Sequence, residues 1–406
     1  MENIYFEFKK RGLNRSRELD LESLKRYLID RLNSGDDNVF DDIVSINTYL
    51  MGYESTIEWI DQYVNQVSHN KLIFNKLKVM GQFNHLTAEE DLLRQEIDNG
   101  RINPVVFHRY LSVKLRLSQI ESAIGFLSEY STLMIEQDKH KIIFDWAIRL
   151  QAWKLFVTFL RDETFKKALF EKLAHSEKNL CLKLLKDMTV TGVKLLDLTT
   201  YCVSLESDHA RYRSTKAIFG KYIKNNKFIR HIGVLGSQVP KVLTNKMCDE
   251  SLQDAASIIG CTLSHLRIYE DMLKKKINCA LVIEDDALPS FPLSTVLSEI
   301  DMSKFDILYL NDKNCVGWEQ RDHQFNILPA SDTLMRHGTY GYLITAKGAN
   351  RILDYYSRDG IYKPIDGQLK DYSINETLRA FCLNTPVISH FDGGFSRRLL
   401  IDIGDR

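Results

Sequence analysis

Apolar residues recur at three-and-four spacing through the first half of the chain, and short unbroken apolar runs replace that pattern in the second. Leu21 to Leu32, Phe40 to Leu50, Ile57 to Val67, Leu72 to Phe83, Glu89 to Ile97, Val105 to Leu117, Ile120 to Ile135, Lys141 to Leu160 and Phe165 to Leu185 carry the helical period. Start signals agree: Thr87 to Glu90 reads as a capping box, and Asn103-Pro104 as an N-cap followed by proline at the first helical position. Residues 1–195 are therefore predicted to be an all-α domain, solenoid-like but without a fixed repeat period. Phe144, Trp146, Trp153, Phe156 and Phe159 fall at helical spacing and read as core rather than as a binding groove.

From residue 196 strand and helix signals alternate. Strands are predicted at Leu195 to Leu205, His231 to Leu235, Leu281 to Ile283, Phe305 to Leu310 and Gly341 to Ile344. Helices are predicted between them at Arg211 to Ile223, Ala255 to Leu273 and Ala346 to Tyr356, the last capped by Thr345. This order predicts an α/β domain over residues 196–406, built on a mainly parallel, doubly wound sheet.

Glycine and proline usage marks the same change. One proline and seven glycines precede residue 195, against six and thirteen after it. Lys plus Arg equals Asp plus Glu at 54 each, which removes any global bias toward nucleic acid. No apolar run approaches the roughly 18 residues of a membrane helix, and the N-terminus lacks a signal-peptide layout, so a cytoplasmic protein is expected. Seven dispersed cysteines without a C-x-x-C pair point to a reducing compartment. The basic residues Lys9, Lys10, Arg11, Arg15 and Arg17 read as a solvated end.

The candidate chemistry centres on Cys279 to Ser290, where five apolar residues run into Glu284, Asp285 and Asp286. A buried parallel strand would deliver those acids to the sheet edge at which open α/β folds bind ligands. Three adjacent carboxylates need a compensating cation, and oxygen donors suit Mg²⁺ or Mn²⁺. The alternative is a solvated acidic turn. Neither a Gly-x-Gly-x-x-Gly nor a Walker loop occurs, which leaves a nucleotide held through metal.

Five blocks in order extend this reading: Thr200 to Arg211, Ile259 to Tyr269 with Gly-Cys-x-x-Ser-His, Ala280 to Asp286, Gly338 to Ala349, and Pro364 to Asp366. Together they resemble glycosyltransferase family 25, the bacterial lipooligosaccharide transferases whose relatives include collagen galactosyltransferases. The resemblance covers residues 199 to about 400 and departs in Val203-Ser-Leu205, where Ile-Asn-Leu is usual, and in Arg211-Tyr-Arg213. It implies a GT-A fold, a UDP-sugar donor, Mn²⁺ (or Mg²⁺) and inversion.

On that resemblance Asp286 is the direct metal ligand, with Glu284 or Asp285 reaching the metal or the ribose and His390 a further ligand. Leu205, Glu206, Arg211, Ser264 and His265 are donor-binding candidates, Arg211 through phosphate or uracil and His265 through diphosphate or acceptor. Inversion needs a base on the acceptor hydroxyl. Asp366 is the first candidate, with Asp312 and Glu376 in reserve. The expected activity is transfer of a hexose, galactose first, to a lipid-linked glycan. A basic and aromatic stretch, Lys221 to His231, is a candidate for peripheral contact with the inner membrane leaflet. A protein acceptor and a decayed, glycan-binding scaffold are the alternatives.

Overall fold

The computed structural model describes residues 1–11, 19–83, 85–130, 139–150, 152–173, 178, 182, 195–253, 255–289, 293–297, 300–310, 327–329, 338–375, 377–383 and 387–390. Those within Met1–Asn99 form one compact unit and those within Gly100–Asp392 a second.

The first unit is helical: α1 (Glu2–Arg11), α2 (Leu21–Asn33), α3 (Phe40–Met51), α4 (Tyr53–Asp61), α5 (His69–Gln82) and α6 (Leu86–Asp98). Its core is the predicted apolar stripe, with Leu24, Leu28, Phe40, Ile43 and Val44 fully buried. Gly52, at φ +78, breaks α3 from α4 and starts α4 earlier than the apolar period suggests. The capping box at Thr87 to Glu90 is not used, because α6 begins at Leu86 behind His85, whose ring stacks on Tyr53 at 3.8 Å.

The second unit opens with α7 (Pro104–Arg116), α8 (Ile120–Tyr130), α9 (Lys139–Arg149), α10 (Trp153–Arg161) and α11 (Glu163–Lys172). Asn103 caps α7 as predicted, its side chain accepting the Val106 N–H at 3.0 Å. The apolar run predicted as one helix from Lys141 to Leu160 is broken: the Ala152 N–H reaches back five residues to the Ala147 carbonyl and closes α9. Phe144, Trp146 and Phe156 are buried, as a core reading requires. The change in composition near residue 195 marks where strands begin, whereas the compact unit begins at Gly100, since α7 packs onto the sheet domain and Ser214 donates to the Leu115 carbonyl.

The remaining elements are β1 (Thr199–Ser204), α12 (His209–Phe219), β2 (Phe228–Ile232), α13 (Lys241–Met247), α14 (Ala256–Lys274), β3 (Cys279–Glu284), β4 (Ala287–Pro289), α15 (Leu293–Leu297), β5 (Ile307–Tyr309), β6 (Ile327–Pro329), β7 (Gly341–Thr345), α16 (Ala346–Asp359), α17 (Ile365–Asn375), β8 (Ala380–Leu383) and β9 (Ile388–His390). Among the described residues, seven strands form one sheet in the order β2-β1-β3-β7-β5-β8-β6. β2, β1 and β3 run parallel, as do β5 and β8, while β7 runs antiparallel between β3 and β5. β3 carries four fully buried residues in succession, which is why it reads as an unbroken apolar run. Thr345 caps α16 by accepting the Gly348 N–H at 3.1 Å.

The Lys221 to His231 stretch does not show the aromatic part of the surface expected of it, although Lys221 and Lys224 are exposed. Tyr222 and Phe228 are buried in the core, Lys224 and Lys227 pair with Asp197, and Arg230 turns inward. No helix among the described residues is long and apolar enough to cross a membrane.

Candidate functional site

Register places the acids. Val203 of β1 pairs with Glu284 of β3, and Ser204 with Ile232 of β2, so three parallel strands end side by side. Leu205-Glu206 and Asp285-Asp286 leave the sheet at that common edge, the edge at which open α/β sheets bind ligands.

The three carboxylates do not share one environment. Arg211, in the first turn of α12, lies 2.8 Å from Asp285 Oδ1 and 3.1 Å from Asp286 Oδ2. Thr215, one turn further on, donates to the Asp285 carbonyl at 2.8 Å and fastens α12 to the acidic turn. Burial pushes the Asp285 carboxyl up to about 6, although Arg211 pulls it down. Asp286 is more open, yet its Oδ1 is buried with no hydrogen-bond partner. A carboxylate with one oxygen ion-paired and the other buried and unmet is a fitting ligand for a hard divalent cation.

Glu284 turns the other way. Thr339 Oγ1 donates to its Oε1 at 2.8 Å, and His265 Nε2 stands 3.6 Å from the same oxygen. His265 is fully buried, and its Nδ1 shares a hydrogen bond with the Tyr342 hydroxyl at 2.7 Å, which in turn meets Tyr269 at 2.7 Å. A histidine with no exposed surface reaches no diphosphate or acceptor in this arrangement; its hydrogen bond is with Tyr342, and Glu284 stands beyond hydrogen-bond reach of its Nε2.

The Gly-Cys-x-x-Ser-His block has a structural reason. A Cβ on Gly260 would sit 2.5 Å from the Val234 carbonyl and 2.8 Å from the Gly236 nitrogen, so only glycine lets the chain after β2 lie on α14. Ser264 holds the same segment, accepting the Val234 N–H at 2.8 Å and donating to the Gly260 carbonyl at 2.6 Å. Its donor and one of its two acceptor sites are thus used inside the protein.

Beside the edge opens a cleft of ≈ 780 Å³, walled by Glu206, Ser207 and His209 after β1, by Ile232 to Leu235 after β2, and by Leu263 and Arg267 of α14. Leu205 packs behind it against Gly233. Arg230 shapes the rim by donating to the Leu205 carbonyl at 2.7 Å and the Glu206 carbonyl at 3.2 Å while lying over the Tyr212 ring.

Residues 197–367 match the model of "Glycosyltransferase family 25 (LPS biosynthesis protein)". This segment is a family 25 glycosyltransferase domain. It contains β1 through the start of α17, and with them Arg211, Glu284 to Asp286 and Asp366. Procollagen galactosyltransferase 2 of Mus musculus and of Homo sapiens are each 24% identical over 155 residues, 33% of this chain. The match spans 25% of the length of each of those two proteins. A Haemophilus influenzae protein named as a glycosyltransferase is 26% identical over 215 residues, 49% of this chain and 74% of that protein.

The fold brings Glu206, Arg211, Asp285 and Asp286 to one edge. Asp366 stands apart in the first turn of α17, where its Oδ1 accepts the Gly367 N–H at 2.8 Å and its charge bears on Tyr309 at the end of β5. The His390 backbone pairs with Ala287, next to Asp286, but its side chain lies outside the described residues, as do Asp312 and Glu376. Thr215, Arg230, Thr339 and Tyr342 were not legible as site residues: each acts through a partner brought in from another element, and no local spacing encodes that.

Proposed function

We propose that the family 25 domain transfers a hexose, galactose first, from a UDP-sugar to a glycan hydroxyl with inversion. The observation that carries this reading is Asp286, held by Arg211 through one oxygen and left with the other buried and unmet at the edge of a parallel sheet. The cleft lined by Glu206 and Ser207 after β1 has the size and mixed lining of a small-molecule site.

Asp286 would hold Mn²⁺ or Mg²⁺, with Asp285 behind it. Bound there, the ion supplies positive charge against the diphosphate as the leaving group departs. The protein's own residues do the rest. Arg211 orients both carboxylates. Glu206 offers a carboxylate on the cleft wall as acceptor for ribose hydroxyls, and Arg267 a cation in the same lining. Asp366 is the group assigned to take the acceptor proton, on the face of the sugar away from the leaving diphosphate.

A protein hydroxyl as acceptor is the second reading, favoured by the two relatives named procollagen galactosyltransferase. One assay addresses both. UDP release is followed from a panel of UDP-sugars with Mn²⁺ or EDTA, with an oligosaccharide or a hydroxylysine peptide as acceptor. Metal-dependent turnover of one donor, lost in Asp286→Ala, is expected. No turnover and no UDP binding would refute the transferase reading in favour of a decayed scaffold.

A further inference from the structure

We propose that Cys261, His265 and Glu284 form a second cation site, of the soft zinc class, separate from the carboxylate pair at Asp285 and Asp286. Cys261 and His265 stand four residues apart on α14, which puts them on one face of the helix, and Glu284 ends the strand that the helix covers. One donor atom from each, a thiol sulfur, an imidazole nitrogen and a carboxylate oxygen, lies within 4.8 Å of the other two. A tetrahedral ion with metal–ligand distances of about 2.0–2.3 Å needs its ligands about 3.3–3.8 Å apart. Closing the cluster onto an ion therefore shortens any one separation by about 1.5 Å at most.

The imidazole is the independent pointer. His265 is fully buried, and its Nε2 has no hydrogen-bond partner, since Glu284 Oε1 at 3.6 Å is beyond hydrogen-bond reach. Whether Nε2 carries a proton or a lone pair, a buried polar atom is left unmet. The other ring nitrogen is already engaged by Tyr342, whose hydroxyl is backed by Tyr269. With the proton on Nδ1 donated to Tyr342, Nε2 presents its lone pair toward Glu284, and the two tyrosines fix the ring as outer partners fix metal-ligating histidines. Thr339 does the same for Glu284. Sulfur, nitrogen and oxygen together favour Zn²⁺ or Co²⁺ over Mn²⁺ or Mg²⁺. Binding displaces the Cys261 thiol proton to solvent and leaves a fourth position for water. An ion there would tie α14 to the end of β3 and keep Glu284 from turning toward Asp286.

The test uses the full-length, reduced protein and Co²⁺ as a spectroscopic stand-in for Zn²⁺. One equivalent is expected to give a thiolate-to-cobalt charge-transfer band and tetrahedral d–d absorption, both removed by Zn²⁺. The charge-transfer band should vanish in Cys261→Ser, cobalt affinity should fall by about 10-fold or more in His265→Gln, and both should persist in Asp286→Asn. In the unmutated protein, Zn²⁺ should protect Cys261 from alkylation, read by peptide mapping, so the result does not depend on a variant folding. A wild type without the charge-transfer band, a band that survives Cys261→Ser or is lost in Asp286→Asn, or Cys261 alkylated equally with and without Zn²⁺ would overturn the site. None of these readouts involves UDP or turnover, so this site and the transferase reading stand or fall separately.

Discussion

Arg211 is the compensating charge of the acidic edge, and removing it tests that role directly. Arg211→Gln keeps a hydrogen-bond donor on a shorter side chain but takes away the cation between Asp285 and Asp286. Their side chains are 8% and 30% exposed, and that of Arg211 14%. Stripping one partner from a buried ion pair costs about 3–5 kcal/mol, because it strands the other charge. Asp286 keeps part of its hydration, so the lower end, about 3 kcal/mol in EDTA, is expected. At about 2–4 °C per kcal/mol for a large domain, that is a fall in Tm of about 6–12 °C. A cation on Asp286 should then stand in for the guanidinium. At 100 times its Kd, Mn²⁺ contributes about 2.7 kcal/mol, close to the whole deficit. Urea denaturation of wild type and variant, each with EDTA and with saturating Mn²⁺, reads both effects. A variant as stable as wild type in EDTA, or one that gains no more from Mn²⁺ than wild type does, would refute the account of Arg211 as the built-in counter-cation.

The same fold gives two further expectations. Asp306 is fully buried and accepts from the Arg379 backbone N–H at 3.0 Å, from the Arg379 guanidinium and from Arg351. Burial raises its carboxyl, but these partners outweigh it and hold it below the usual range near 3.8. A lowered pKa stabilises above the unfolded value and is lost as pH falls through the folded one. Asp306→Asn should therefore cost about 3 kcal/mol at pH 7, the lower end because both arginines can turn to solvent, and the gap in urea midpoint should narrow below about pH 4. A gap unchanged by pH would count against it. Gly260→Ala would drive a methyl into backbone at Val234 and Gly236; about 1–3 kcal/mol of destabilisation is expected, with weaker UDP binding in the adjoining cleft measured by calorimetry. UDP affinity left intact would separate the Gly260 packing from the cleft.

Much of this protein was legible in one dimension. The period-3.6 stripe predicted a helical first half because each helix buries a single face, and Leu24, Leu28 and Ile43 are that face. The apolar run before Glu284 predicted a buried strand because a residue covered on both sides of a sheet has no polar alternation to show. Asn103 and Thr345 announced their helices because capping is a local hydrogen bond spanning three residues. The acidic edge was legible for the same reason: three adjacent carboxylates at a strand's end are improbable without a counter-charge.

What the sequence left open depended on residues far apart in the chain. Nothing near Asp285 tells that Arg211, 74 positions earlier, supplies its counter-charge, because that follows from the β1 and β3 register. Glu284, Asp285 and Asp286 look equivalent as a string, yet the turn after β3 sends one toward Thr339 and His265 and the other two toward Arg211. The basic and aromatic residues from Lys221 to His231 looked like a surface until packing buried Tyr222 and Phe228 and the Leu205 carbonyl claimed Arg230. Sequence determined which chemistry was present and where strands and helices would form, since both are local. Tertiary structure alone decided which charges meet, because burial and register join residues that periodicity cannot relate.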